Sequence, residues 1–295
     1  MPRRPGKTEA VTAARGAARS SPLLDRRQVL KGAIGVGLGV AMGGGAHGFL
    51  YERHHLELTR RAFPVAGLPE PLRGLRLGVI TDVHRSQTVS HEMVTAAVDL
   101  LMAERPDVIL LGGDYVSWRD QRYVQPAADA LARLSAPHGV IAILGNHDDE
   151  REMPAALAAK GFTVLKDART RLTIRGEPMD FAGLRYWTYR LAEVAHVMRG
   201  ALPHAILLAH TPKRLLEAQQ LAVPAVISGH THGGQIVLPG IGAIAAREFP
   251  VIAGVEQRQG TTIFVSRGVG TVYIPVRVNC PPEVAVLTLE PFMRS

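Results

Sequence analysis

The stretch LRLGVITDVH, residues 75–84, ends an apolar, strand-like run on an aspartate and a histidine two positions apart. Four later stretches repeat this arrangement of an apolar run followed by residues that can bind a metal. They end on Asp114 after VILLGG, Asn146 after VIAILG, His210 after AILLA, and His230 with His232 after AVISG. Ligands of open α/β sheets bind beyond the carboxyl ends of the strands. The sequence therefore predicts one shared site built from five strand ends.

The residue types at these strand ends suit a pair of divalent metal ions. Two ions about 3.5–4 Å apart need mixed nitrogen and oxygen ligands, a bridging carboxylate, and open positions for water and substrate. Asp114 is the natural bridge because a carboxylate has two oxygens, and Asn146 offers a neutral amide oxygen. His230 and His232 lie two apart on one loop, so each could serve a different ion. Glycines beside these residues allow close approach of a phosphate.

Together these motifs resemble the signature of the calcineurin-like metallophosphoesterase family, which runs D-x-H, G-D, G-N-H-[DE], H and G-H-x-H. All five elements occur here in order and without substitution. The resemblance covers residues 75–289 and implies two metal ions, with Mn, Fe and Zn as candidates. It assigns Asp82, His84, Asp114 and His232 to the first ion, and Asp114, Asn146, His210 and His230 to the second.

The same resemblance implies catalytic roles for the two residues that follow Asn146. His147 would stabilise the charge that develops in the reaction or protonate the leaving oxygen. Asp148 would orient the imidazole of His147, as carboxylates often do behind a working histidine. Water activated between the two ions would attack phosphorus in line, without a covalent intermediate.

The order of the elements predicts an α/β fold. Apolar runs alternate with amphipathic stretches early in the chain, as in parallel βαβ units, whereas the tail is richer in strands. We expect two stacked mixed sheets flanked by helices, the four-layer α/β/β/α sandwich that the resemblance also implies. Residues 1–50 are expected to form a leader, 51–73 a connector in which residues 56–58 could add a short strand, and 74–295 the metallophosphoesterase domain. Helices are predicted at Ser90–Glu104, Val124–Leu134, Met153–Lys160, Leu191–Arg199 and Lys213–Leu221.

The charge of the chain is concentrated in the leader. The whole sequence has a net charge of +8 and a pI near 10. Residues 1–31 contain eight basic and two acidic residues, a net charge of +6, so the other 264 residues carry only +2. Because nucleic-acid binding requires a basic body, the near-neutral domain argues against DNA or RNA as a partner.

Within the leader, the run DRRQVLK at residues 25–31 precedes a glycine-rich, moderately apolar stretch up to residue 50. This pattern resembles a twin-arginine (Tat) export signal. The Tat machinery would then place the protein in the periplasm or on the outer face of the cytoplasmic membrane. A short membrane anchor and a disordered basic tail are the alternatives. The single cysteine, Cys280, excludes an internal disulfide.

These observations lead us to expect a metal-dependent phosphoesterase of the exported bacterial branch of the family. Its expected substrates are phosphodiester or pyrophosphate-linked, with lipid-linked molecules among them, and it could associate peripherally with the membrane or cell wall. A broad phosphomonoesterase and a catalytically weak, metal-bearing protein that binds cell-wall polymer are the alternatives. Arg267 or Arg277 could contact phosphate or form a strand-end salt bridge. Trp118 and Tyr115 could line the substrate mouth or pack in the core.

Overall fold

The computed structural model of the protein describes residues 42–292. Most of the expected leader, with its twin-arginine run, therefore lies outside the described residues, and residues 42–50 are helical. Between residues 42 and 292, no helix is both long and apolar enough to cross a membrane.

Strands make up the centre of the fold and helices its outer layers. The strands in chain order are β1 (Glu57–Ala66), β2 (Arg76–Ile80), β3 (Val108–Leu111), β4 (Val140–Ala142), β5 (Thr163–Val164), β6 (Ala168–Ile174), β7 (Glu177–Gly183), β8 (Ile206–Leu208), β9 (Ala225–Ser228), β10 (Val237–Leu238), β11 (Gly242–Ala243), β12 (Gly254–Arg258), β13 (Thr261–Val265) and β14 (Glu283–Phe292). The α-helices are α1 (His91–Ala103), α2 (Val124–Leu131), α3 (Glu152–Ala158), α4 (Leu191–Met198) and α5 (Leu215–Gln220).

Two six-stranded sheets stack against each other. The first has the order β1-β14-β2-β3-β4-β5 and the second the order β12-β13-β9-β8-β7-β6, while β10 and β11 form a separate hairpin. Both sheets are mixed, because β14 runs antiparallel to β2 in the first and β12 antiparallel to β13 in the second. The neighbours β2, β3 and β4 are parallel, as are β8 and β9, so their carboxyl ends line up.

Three buried apolar clusters hold the layers together. One lies between the two sheets and includes Leu110 of the first sheet and Leu208 of the second. A second cluster packs α1, α2 and α3 onto the outer face of the first sheet. A third packs α4 and α5 onto the outer face of the second sheet. The expected α/β/β/α sandwich is confirmed, since each sheet is apolar on both faces, as strands covered on both sides must be.

Part of the expected connector, residues 51–73, is a strand of the first sheet. Residues 57–66 form β1, which pairs in parallel with β14 along ten positions at the edge of the first sheet. Its central residues, including Arg60 and Arg61, are exposed, so the strand lacks the apolar alternation by which strands are recognised. The folded domain therefore begins well before residue 74.

The expected helices are confirmed, with differences at their ends. Ser90 is the N-cap of α1, where its hydroxyl accepts a hydrogen bond from the Met93 amide. The last helix begins later than expected, at Leu215, because Pro212–Arg214 forms a 3₁₀ turn that Thr211 caps.

Candidate metal centre

Five loops bring the predicted ligands to one place. Asp82, Asp114 and Asn146 follow β2, β3 and β4 of the first sheet, and His210 and the pair His230 and His232 follow β8 and β9 of the second. Hydrogen bonds join the loops of the two sheets directly. His210 Nδ1 lies 2.7 Å from the Gly112 carbonyl, and the His230 amide donates to Asp82 Oδ1 at 3.0 Å. The edge where the carboxyl ends of both sheets meet is therefore one continuous site.

The side chains form two groups of candidate ligands. Asp82, His84 and His232 have donor atoms within 4.8 Å of one another, and so do Asp114, His210 and His230. In the first group, His232 Nε2 lies 3.5 Å from Asp82 Oδ1 and 3.1 Å from His84 Nε2. Each group contains three of the four residues that the resemblance assigned to one ion.

Asp114 lies between the two groups. Its Oδ2 is 3.5 Å from His84 Nε2 in the first group and 3.2 Å from His210 Nε2 in the second. Its Oδ1 instead accepts a hydrogen bond from the His147 amide at 2.8 Å. Asp114 therefore has the bridging position that was predicted, but a single oxygen faces both groups rather than one oxygen facing each.

The backbone at these residues is strained. Five of the candidate ligands have positive φ angles although they are not glycine: Asp82 (51°), His84 (48°), Asp114 (56°), His230 (72°) and His232 (51°). Such left-handed conformations cost of order 1–3 kcal/mol each and persist only where the surroundings enforce them. The contacts around these five residues therefore hold their side chains in place.

Further hydrogen bonds set which ring nitrogen of His210 and of His84 faces the site. His210 Nδ1 is bound to the Gly112 carbonyl, and His84 Nδ1 lies 3.1 Å from Ser117 Oγ. Each Nε2 is thereby left facing the carboxylates, the arrangement that orients metal-binding histidines in proteins.

The donor atoms fit metal ions. Among residues 42–292, the buried Oδ1 of Asn146 has no hydrogen-bond partner, although buried amide oxygens nearly always have one. The imidazoles of His84 and His232 approach each other nitrogen to nitrogen, and burial holds the pKa of both well below the usual value. Two neutral nitrogens and an unpaired amide oxygen are donors in the form that divalent ions bind.

The charges of the site also favour cations. Burial lowers the pKa of His84 to about 4 and that of His230 to about 3. Burial opposes charge on His210 as well, but Asp114 and Asp82 outweigh it and raise the pKa of His210 to about 10. Burial raises the pKa of Asp82 to about 6. The two buried carboxylates therefore create a negative potential that stabilises positive charge between them.

The expected role of Asp148 in orienting His147 is wrong. Asp148 Oδ2 accepts hydrogen bonds from the amides of Asp114 (2.8 Å) and Gly145 (2.9 Å), and its Oδ1 accepts one from the Tyr115 amide (2.8 Å). Asp148 thus ties the loop after β3 to the loop after β4. One carboxylate can accept hydrogen bonds from several backbone amides, and a sequence motif does not show which amides these are.

His147 is oriented by the backbone instead. Its Nδ1 accepts a hydrogen bond from the Trp118 amide at 2.9 Å, and its ring packs edge-on against that of Trp118. With Nδ1 occupied as an acceptor, the neutral ring carries its proton on Nε2. Burial lowers the pKa of His147, which favours this neutral form. His147 can therefore donate a hydrogen bond from Nε2.

Arg277 stabilises the backbone that contacts Asp82, a role that the sequence analysis missed. It is fully buried, and its guanidinium donates to the carbonyls of Cys280, Arg267 and Gly270. The Gly270 amide in turn donates to the Asp82 carbonyl at 2.7 Å. The hypothesis that Arg277 contacts phosphate is wrong, because the side chain is fully buried and its two terminal nitrogens bind these backbone carbonyls.

The other open alternatives are also resolved. Arg267 forms an ion pair with Glu57 at 2.9 Å, which confirms the strand-end salt bridge. Tyr115 is buried in the core, whereas Trp118 is 62% exposed and contacts His147. Of these two aromatic residues, Trp118 alone lies at the mouth of the site.

Two cavities open beside His147. The larger cavity, which we call the groove, has a volume of about 440 Å³ and runs from the candidate ligands along an apolar wall. Its wall residues include Ile236, Ile244, Phe249, Val272, Tyr273 and Ile274. The smaller, called the side pocket, has a volume of about 290 Å³ and is lined by Trp118, Arg119, Asn146, His147, Tyr186, Trp187 and Tyr273.

Two adjacent candidate metal sites that share a carboxylate, with a histidine donor beside them, are typical of hydrolases that act on phosphoric esters. The chain belongs to the calcineurin-like phosphoesterase family, whose model matches residues 75–234. It is thus a metallophosphoesterase, a hydrolase of phosphoric ester bonds, as the sequence predicted.

Similar proteins agree with this assignment. The chain is 30% identical over 280 residues to the uncharacterized metallophosphoesterase YkuE of Bacillus subtilis (strain 168), covering 90% of this chain and 98% of YkuE. It is 29% identical over 218 residues to phosphodiesterase YaeI of Escherichia coli (strain K12), covering 71% of this chain and 80% of YaeI. Among solved structures, NAD nucleotidase (NadN) of Haemophilus influenzae matches with a TM-score of 0.47 and 15% identity, covering 66% of this chain and 45% of NadN. That likeness is too distant to bear on function.

Proposed function

We propose that the protein hydrolyses phosphodiester or pyrophosphate-linked substrates, including lipid-linked ones, and that it uses two divalent metal ions. Asp82, His84 and His232 would hold one ion, Asn146, His210 and His230 the other, and Asp114 both. Bound there, two divalent ions would neutralise phosphoryl charge and make a water molecule more nucleophilic. The observation that carries the choice of diester over monoester is the pair of cavities on either side of His147.

The two cavities provide room for two substituents on phosphorus. The groove and the side pocket share Asn146 and His147 and diverge from there. A phosphodiester or pyrophosphate link carries a group on each side of the reacting phosphorus, whereas a monoester carries one. The similarity to YaeI, which is named a phosphodiesterase, supports the same choice.

The charge of the groove supports a substrate with low negative charge. None of the described residues that line it is lysine or arginine, and the carboxylate of Glu248 in its wall is paired with Lys213 at 3.3 Å. A monoester is largely a dianion at neutral pH, whereas a diester is a monoanion. The groove therefore has no side chain that would compensate the second charge of a monoester.

The reaction adds water across one ester bond. A bond forms between the water oxygen and phosphorus, the bond from phosphorus to the leaving oxygen breaks, and the proton that water loses balances the one that the leaving oxygen gains. His147 donates a hydrogen bond from Nε2 to an oxygen on which charge develops. The Trp118 amide keeps that nitrogen protonated by occupying Nδ1.

A comparison of chromogenic substrates tests this proposal. Manganese-loaded protein should hydrolyse bis(p-nitrophenyl) phosphate with a kcat/KM at least tenfold above that for p-nitrophenyl phosphate. Asn146→Ala should lose most of this activity because one candidate ligand is removed. A preference for the monoester would overturn the choice of diester, and full activity of Asn146→Ala would overturn the assignment of the second ion.

We also propose that the protein is exported by the Tat machinery to the periplasm or the outer face of the cytoplasmic membrane. The support is the twin-arginine run at residues 25–31 and the apolar stretch after it. Replacement of Arg26 and Arg27 by lysine should retain the protein in the cytoplasm, as measured by cell fractionation. Export that is unaffected by both substitutions would contradict this route.

A further inference from the structure

We infer that the groove binds the apolar chain of an amphiphilic phosphoester and thereby determines substrate specificity. The inference deepens the proposed function and rests on it, because it places one substituent of the diester. The structural basis is an apolar channel that starts at the candidate metal ligands and ends at the surface.

The inner end of the groove is the site itself. Asp114, Asn146, His230 and His232 all line it. A substrate whose phosphorus is held by these residues must send one substituent either into the groove or into the side pocket. The groove is the larger of the two, and its volume of about 440 Å³ lies in the range of ligand-binding pockets.

The walls of the groove suit a hydrocarbon chain. Beyond the ligands and His147 they are formed mainly by aliphatic and aromatic side chains, and the polar members among the described lining residues are Thr231, Gln235, Glu248 and the hydroxyl group of Tyr273. Gln235 is occupied, since its amide group donates to the Val272 and Ile274 carbonyls and accepts from the Val272 amide. A sugar or a peptide would find few free hydrogen-bond partners along such walls, whereas an alkyl chain needs none.

The apolar surface continues from the groove to its outer rim. Ile244 is 54% exposed, Ile274 49% and Tyr273 79%. Single exposed apolar residues are common, but a row of them that extends an apolar channel indicates a binding surface. These residues would be covered by the part of the chain that projects from the groove.

Both walls are held before any ligand binds. Gln235, three residues after His232, fixes the wall at residues 272–274 through the hydrogen bonds given above. The opposite wall is fixed at the Ile244 amide, which donates to the Ile236 carbonyl at 3.0 Å. A preformed groove avoids the entropy cost of ordering its walls on binding. The groove therefore has a fixed position relative to the metal ligands.

A matched series of esters tests the inference. Methyl, octyl and thymidine-5′ esters of p-nitrophenyl phosphate carry the same leaving group and charge at phosphorus. Each buried methylene should raise kcat/KM by up to about fourfold. We expect the octyl ester to exceed the methyl ester at least tenfold, and to exceed the thymidine ester. Equal values for octyl and methyl esters, or a preference for thymidine, would overturn the inference.

Variants of the groove localise the effect. Ile244→Asp and Ile274→Asp should each lower the octyl-to-methyl ratio of kcat/KM towards 1. Ile241→Asp is the matched control, because Ile241 lies on the same hairpin, is 62% exposed and does not line the groove. An unchanged ratio in both groove variants would overturn the inference. A groove variant that converts a dimer into a monomer would do so as well, because a second copy of the chain would then occupy the groove.

A binding measurement separates this inference from the proposed function. Isothermal titration of metal-free protein with octyl phosphate and methyl phosphate needs no turnover. We expect octyl phosphate to bind at least tenfold more tightly, and Ile274→Asp to abolish the difference. Chain-dependent binding without hydrolysis of any ester would refute the proposed function and leave the groove assignment standing. Hydrolysis with chain-independent rates and binding would refute the groove assignment alone.

Discussion

Replacement of Asp148 by asparagine tests how the site is held together. The Asp148 carboxylate is buried and joins the amides of Asp114 and Gly145 through one oxygen and the Tyr115 amide through the other. Asparagine keeps one acceptor oxygen and replaces the other by an NH₂ group. The less costly orientation keeps the two bonds at Oδ2 and points the NH₂ group at the Tyr115 amide. One hydrogen bond is then lost, and two donors face each other.

The size of the effect follows from these contacts. A hydrogen bond to a charged group contributes about 1.5–3 kcal/mol, and the two bonds that remain weaken when the charge is removed. We therefore expect Asp148→Asn to lower the free energy of unfolding by about 3 kcal/mol above about pH 8, because burial raises the pKa of Asp148 to about 7 and the carboxylate is charged only above that value. For a domain of this size, that corresponds to a fall in Tm of roughly 6–12 °C. Because the Asp114 and Asn146 loops loosen together, manganese affinity should fall about 10- to 100-fold.

Thermal unfolding of metal-free protein and manganese titration of each variant provide the assay. Asp149→Asn is a matched control, since Asp149 accepts hydrogen bonds from the Arg151 and Glu152 amides at the start of α3, where asparagine serves equally well. If Asp148→Asn lowered kcat while Tm and manganese affinity stayed at wild-type values, Asp148 would act on His147 after all. The account of its backbone role would then be refuted.

Two further substitutions test the packing of the loops and an ion pair away from the site. Gly113→Ala should abolish manganese binding and lower Tm more than Gly139→Ala. The two glycines have similar φ angles (95° and 90°), but a Cβ at Gly113 would lie 2.4 Å from the Gly145 amide nitrogen, whereas one at Gly139 would contact nothing within 4 Å. Equal Tm changes and intact manganese binding would contradict this prediction. Burial opposes the charge of Asp180. Hydrogen bonds from Arg171, the Leu202 amide and Arg169 outweigh this effect and lower the pKa of Asp180 from 3.8 to about 2. A carboxyl group whose pKa is lower in the folded than in the unfolded protein stabilises the fold at pH values above its unfolded-state pKa. Asp180→Asn should therefore lower the free energy of unfolding by about 1–2 kcal/mol at pH 6 after solvent screening, by about half of that at pH 3, and by nothing below pH 2. Urea unfolding at each pH measures these differences.

The layout of the site could be predicted because its signal is local. Each ligand follows a run of apolar residues that becomes a buried strand, so Asp82 and His210 were placed correctly without any knowledge of the tertiary contacts between them. Most of strand β1, beyond the short strand expected at residues 56–58, escaped prediction because its middle residues, such as Arg61, face solvent at the sheet edge. Local patterns of hydrophobicity identify strands only where a face is buried.

The supporting contacts could not be predicted because their partners are backbone groups distant in sequence. Asp148 binds amides more than 30 positions away, and Gln235 binds carbonyls 37 and 39 positions away. The sequence does not indicate either that Cys280 Sγ lies 3.2 Å from the carbonyl oxygen of His232. The groove depends on these contacts, which is why its existence emerged only from the structure.

The most direct test of the account is the anomalous diffraction of crystals of manganese-loaded protein. The account predicts two manganese ions about 3.5–4 Å apart, with Oδ2 of Asp114 bound to both. Asp82, His84 and His232 should complete one coordination sphere and Asn146, His210 and His230 the other. A single ion, or an Asp114 carboxylate that contacts only one of two, would contradict it.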